Sequence, residues 1–108
     1  MSATRKIRDL AQVIRSKNSG PFELTLDIIF EDNSTYQKVR DSRVITKELV
    51  GRLYQIPTEK VLHLVPFDSA RAIKITIVRP IVSGNIGETD AQGGQQHAPL
   101  LDIEIPWE

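Results

Sequence analysis

Phe22-Glu23-Leu24-Thr25-Leu26-Asp27-Ile28-Ile29-Phe30-Glu31 is the stretch on which the fold turns. Phe22, Leu24, Leu26, Ile28 and Phe30 fall at every second position, with Glu23, Thr25, Asp27 and Ile29 between them and Glu31 after. An extended chain sends successive side chains to opposite faces, so this spacing predicts a strand with one apolar face. Burying such a set contributes about 7–15 kcal/mol before conformational entropy is subtracted. The other face is polar except for Ile29, and is expected to meet solvent or a partner.

Working outward toward the N-terminus, Ile7, Leu10, Ala11 and Ile14 have the spacing of one helical face. Asn18-Ser19-Gly20-Pro21 supplies a stop, which predicts a short amphipathic helix over 5–17. Downstream, Asp32-Asn33-Ser34 breaks the strand. Ser34 and Gln37 have capping-box spacing, and Tyr36 and Val39 sit three apart. A helical turn over 35–41 and a hairpin strand over 35–40 both fit. Thr46 is expected to cap a further helix, with Ile45 and Val50 placed as a hydrophobic staple and Pro57 as its end. Val61 to Val65 forms an apolar run stopped by Pro66, with His63 in phase with Val61 and Val65. Phe67-Asp68-Ser69 turns the chain into a strand over Ala72 to Val78, so the two strands are expected to pair antiparallel.

Residues 83–99 hold Gly84, Gly87, Gly93 and Gly94, four of the six glycines. A segment this long and polar is expected to be functional or disordered. Leu101, Ile103 and Ile105 then alternate with Asp102 and Glu104 as a final strand. The order predicts an α+β fold, a ferredoxin-like split βαβ sandwich with an antiparallel sheet. The long Gly-rich loop at 83–99 takes the place of the second helix. One face of the sheet is expected under helices and the other partly open.

The 108 residues are enough for one domain over 1–108, with no separate linker. Fourteen basic and fourteen acidic side chains leave no net charge. A nucleic-acid partner or a polybasic membrane contact is therefore not expected. No apolar run approaches the roughly 20 residues that cross a bilayer. Met1 to Asp9 lacks the apolar core of a signal peptide, so a cytoplasmic location is expected. Cysteine is absent, which removes disulfides, thiol nucleophiles and thiolate metal sites.

Two blocks of residues resemble a known family. The first joins Arg15-Ser16-Lys17-Asn18, Gly20-Pro21-Phe22, Leu24-Thr25-Leu26-Asp27 and Phe30. The second joins Arg79-Pro80, Ser83-Gly84, Asp90, Gln96-His97-Ala98-Pro99-Leu100-Leu101 and Ile105-Pro106. Together they resemble domain of unknown function 4387, over about 7–106. That family is found beside, or fused to, proteins resembling the acyclic terpene utilisation protein (AtuA) of bacterial isoprenoid and carboxylic-acid catabolism. The resemblance implies a cytoplasmic accessory chain or domain and implies no reaction. Arg8-Asp9-Leu10-Ala11 followed by Arg15-Ser16 also resembles the opening of the small C-terminal domain of AtuA-like proteins. On that similarity, 5–17 would be a strand entering a loop rather than a helix.

Candidate sites follow from residue chemistry. His97, beside Gln96 and the glycines of the 83–99 loop, could serve as a base or ligand, since imidazole titrates near pH ~6.5. Local hydrogen bonding at the entry to the last strand is the plainer role. Asp90 is its candidate catalytic companion, and Asp27 with Asp90 is a possible carboxylate pair. A metal held by His63, His97 and Asp90 lacks any diagnostic spacing, so no metal or cofactor is expected. Arg15, Lys17, Asn18 and Ser19 could cradle a carboxylate or phosphate. At a helix C-terminus, however, the cations would simply offset the dipole. Ile29 and Trp107 are candidate interface anchors. Two functions remain open. One is a non-catalytic interaction module that docks on an AtuA-like protein or on its own copy. The other is a carboxylate or acyl-CoA type site, binding or catalytic, built on the 83–99 loop with His97.

Overall fold

The computed structural model describes residues 3–78 and 97–107. Asp90 and Gln96 lie outside these residues, as does the 83–99 segment apart from 97–99. The chain is α+β, with two antiparallel sheets. Thr4–Lys6 (β1) pairs with Glu104–Pro106 (β6) as a two-stranded ribbon. The larger sheet contains Val13–Asn18 (β2), Glu23–Ile29 (β3), Val61–Phe67 (β4) and Ala72–Val78 (β5), in the order β2-β3-β5-β4. Because β5 is antiparallel to both β3 and β4, those two run the same way with β5 between them. The last strand therefore leaves the larger sheet and closes on the N-terminal strand instead.

The predicted helix over 5–17 is not formed. Ile7–Leu10 (α1) makes a single helical turn, and Ala11 then turns extended at φ −85°, ψ 147°. Ile7 and Leu10 share that turn, whereas Ile14 belongs to β2 and faces the core from the sheet. A helical spacing thus arose from two different elements. The ladder from Val13↔Ile29 to Asn18↔Leu24 supplies the backbone partners that override the local pattern. The reading as a strand entering a loop is closer, with the strand running the other side of α1.

The alternation in β3 holds for Leu24, Leu26, Ile28 and Phe30, all out of solvent contact. Phe22 departs from it, being 66% exposed. It sits in the turn around Gly20 (φ +86°), which Ser19 N–H closes on Glu23 O at 2.8 Å, outside the β2–β3 ladder.

Asn33–Ser42 (α2) settles the 35–41 question in favour of helix. The cap is Asp32 rather than Ser34. Its carboxylate accepts from Thr35 N–H at 3.0 Å and from Thr35 Oγ1 at 2.9 Å, satisfying an otherwise orphan first-turn donor. These bonds hold the Asp32 carboxyl below its ordinary value. Lys47–Tyr54 (α3) is capped by Thr46, which accepts from Leu49 N–H at 3.1 Å, as expected. Ile45 and Val50 are both buried. Gln55, in the left-handed region at φ 59°, ends this helix just ahead of Pro57.

The β4–β5 hairpin runs past its predicted stop, because Pro66 pairs with Ile73 within the ladder. Proline is tolerated there since β4 is an edge strand. The core lies between the inner sheet face (Leu24, Leu26, Ile28, Ile73, Ile75 and Ile77) and a layer built from Tyr36, Val39, Val50, Leu100 and Ile105.

Candidate docking face of the sheet

The outer face of the larger sheet can be read row by row from the pairing. Val13, Ile29, Ala72 and Phe67 lie side by side across β2, β3, β5 and β4. The next row on this face is Arg15, Asp27, Lys74 and Val65, and the third is Lys17, Thr25, Thr76 and His63. The first row is apolar throughout, the second is charged except at its β4 end, and the third is polar. Val13 is 39% exposed, Val65 39% and Phe67 44%. The row is therefore exposed at its two ends, Val13 and Phe67, while Ile29 is half-buried and Ala72 is buried between its taller neighbours.

Asp27 is the electrostatic centre of the face. It was expected to be a solvated strand carboxylate but is only 6% exposed. A central-strand position between taller neighbours on both sides removes it from water. Arg15 Nε donates to its Oδ2 at 3.0 Å, and Lys74 Nζ lies 4.0 Å from Oδ1. Oδ1 itself has no hydrogen-bond partner. A buried carboxylate oxygen left in that state is costly, and a donor arriving from outside would relieve it.

Of the predicted site residues, Arg15 and Lys17 share this face, and Asn18 points to the other side of the strand by alternation. Arg15 is engaged by Asp27 through Nε, while its side chain stays largely exposed. The helix-dipole objection to the anion cradle lapses, since 13–18 is a strand. Asp27 pairs with Arg15, and its proposed carboxylate companion Asp90 lies outside the described residues. Ile29 lies on the outer face as expected but is half-buried between Val13 and Ala72.

His63 was expected to share a face with Val61 and Val65. A register shift between Val61 and His63 turns Val61 inward and leaves His63 exposed on the outer face. His97 precedes the Ala98–Leu100 turn, which packs on α3, on the opposite side of the sheet. The two histidines are therefore not brought together, and among the described residues no cluster of three metal-ligating side chains occurs. The His97 Nδ1 atom is buried without a hydrogen-bond partner. Trp107 is half-buried against the core, with Lys38 Nζ 4.3 Å and the Arg5 guanidinium 5.9 Å from its ring centre.

Away from the sheet, Tyr36 donates its hydroxyl to Asp68, which also accepts from Arg40 Nη1 at 3.0 Å. The tyrosine bond, and then the arginine, hold Asp68 below its ordinary value. This cluster ties α2 to the β4–β5 turn. It borders a small 60 Å³ hollow lined by Val39, Ile45, Leu64 and Ile73, among others. That is about the room of one or two waters, too little for a metabolite.

Val13, Val65, Phe67 and Lys74 were missed as members of a site. The sole sequence signal was Ile29, the one apolar residue on an otherwise polar strand face. The fold and this face define a small α+β protein with a half-covered sheet. The chain belongs to the family described as Domain of unknown function (DUF4387), whose model matches residues 7–104. Comparison with curated proteins and with solved structures finds no match.

Proposed function

We propose that this chain is a non-catalytic accessory module that works by docking, as a subunit beside an AtuA-like protein of bacterial isoprenoid or carboxylic-acid catabolism. The observation that supports docking is the apolar row Val13–Ile29–Ala72–Phe67, exposed at Val13 and Phe67 and flanked by the exposed Val65. Apolar side chains set together on a sheet face lose free energy to water that a protein cover would recover. The AtuA-like partner comes from the family resemblance, as does the cytoplasmic setting. On the same reading, β3, α2, α3 and β4 with β5 inserted form the split half of a ferredoxin-like plan.

The test is co-elution of the purified chain with an AtuA-like protein on size exclusion. A joint peak that survives His97→Ala is expected, with the melting temperature of that variant close to the parent's. Separate elution, together with a carboxylate-dependent rise in melting temperature that His97→Ala removes, would replace docking by a small-molecule site.

A further inference from the structure

We infer that the outer sheet face is covered by a second copy of this chain, stacked face to face about a two-fold axis that runs along the strands. The inference rests on the docking reading above and names the occupant of the face. An interface of two identical faces must be complementary to itself. When the strands of two stacked sheets stay within about 30° of alignment, a two-fold axis between them runs close to the strands or close to their perpendicular. Across the strands, the row order reverses, and Val13 and Phe67 of one copy meet the Lys17–His63 row of the other. Apolar groups would then cover charges.

Along the strands, each row meets its own row with strand order reversed. Val13 then faces Phe67 of the second copy, and Ile29 faces Ala72. In the charged row, the order Arg15, Asp27, Lys74, Val65 meets Val65, Lys74, Asp27, Arg15. Asp27 of each copy faces Lys74 of the other, twice over. Each Arg15 lies across from Val65, where its aliphatic stem can rest. The second, independent observation is the Asp27 Oδ1 atom, buried without a hydrogen bond on this face. Lys74 of the second copy would take the place of the chain's own Lys74, which stands 4.0 Å from Oδ1 without bonding it, and supply the missing donor. Packed sheets keep their strands within about 30° of alignment, which leaves β3 over β5 at the centre of the stack.

The size of the face sets the strength. Four strands about 4.8 Å apart and about seven residues long at about 3.4 Å each give a face about 19 by 24 Å. That is at the small end of specific interfaces, so the dimer depends on concentration.

Sedimentation of the full chain from micromolar to millimolar concentration is expected to move from one chain mass to two. Lys74→Glu and Asp27→Lys, each alone, should weaken the dimer at least tenfold. Mixing the two should restore a 1:1 dimer, since every facing pair is then opposite in sign. Should Asp27→Lys fail to fold, a cysteine pair gives the same answer. The chain has no cysteine, and β2 and β4 lie three strand spacings apart, about 14 Å, whereas facing residues of stacked sheets lie about 10 Å apart, beyond a direct disulfide. Val13→Cys with Phe67→Cys should therefore be joined between copies by a bifunctional thiol cross-linker that spans about 10 Å, giving a covalent dimer. A chain that stays monomeric at millimolar concentration overturns the inference, as does a dimer indifferent to both Lys74→Glu and Phe67→Glu. If a monomeric chain still co-elutes with the AtuA-like protein, and Phe67→Glu abolishes that, the dimer falls while the docking reading stands. A dimer without co-elution sustains the second copy and removes the AtuA-like partner.

Discussion

The two faces of one sheet are built from the same strands and live in different solvents. On the inner face of β3 and β5, Leu24, Leu26, Ile28, Ile75 and Ile77 are fully out of water beneath α2 and α3. On the outer face, one residue along, Thr25 and Thr76 are half-buried, Asp27 is buried by its cationic neighbours, and Phe67 at the edge remains substantially exposed. The inner face is continuous and closed, as a face that supports folding must be. The outer face is banded into apolar, charged and polar rows. On the proposed docking reading, banding of that kind would set register against a partner. The difference teaches that, on that reading, stability and recognition are separated by a single step along the strand.

The contrast breaks if inner and outer substitutions cost the same. Leu26→Asp has the largest expected effect, loss of cooperative folding, because an unpaired charge in the core exceeds the few kcal/mol that a domain can spare. Leu26→Ala should lower stability by about 2–5 kcal/mol in chemical denaturation. A soluble Leu26→Asp protein with a sharp melt would show the strand phase to be wrong.

The covered side also hides both tyrosines of the chain. Burial raises the Tyr54 phenol well above its ordinary value of 10.0. Burial raises Tyr36 as well, with the bond to Asp68 adding to the shift and Arg40 opposing it. A folded-state value above the unfolded one contributes stability that is complete below pH ~10 and is lost as pH rises through the folded value. Tyrosinate absorbance should therefore show no ordinary titration near pH ~10 in the folded protein. Ionisation should instead accompany alkaline unfolding. A normal titration with the fold intact would mean that the layer over the inner face is loose.

On the outer side, Phe67→Ala in dilute protein should change stability by less than about 1 kcal/mol, within the range of surface substitutions. His97→Ala, on the turn before β6, is expected to stay within about 1 kcal/mol as well, and a larger loss would make that imidazole structural. Thermal melts of the two variants at low concentration check both.

Features governed by near neighbours were legible in the sequence. The alternation from Leu24 to Phe30 and the Thr46 cap need only residues a few positions apart, and both appear as read, with Phe22 alone departing from the pattern. What depended on distant pairing was not legible. Ile7 and Ile14 mimic one helix face because nothing local announces that β2 lies along β3. Phe67 joins a strand beyond Pro66 only because β4 is an edge. Arg15 was singled out as a candidate ligand-binding residue, but its partner Asp27, twelve residues away in the chain, is fixed by cross-strand register. The candidates Asp90 and Gln96 lie outside the described residues, and the docking face emerges only when four strands are set side by side.

Thiol labelling tests the two-faced sheet most directly, because each introduced cysteine would be the only one in the chain. In dilute protein, Val65→Cys should label near the rate of an unfolded peptide, and Ile75→Cys only as fast as global unfolding allows. Protection of Val65→Cys should grow as the protein is concentrated. A Val65→Cys thiol shielded in dilute monomer, or an Ile75→Cys thiol that labels at once, would contradict the account.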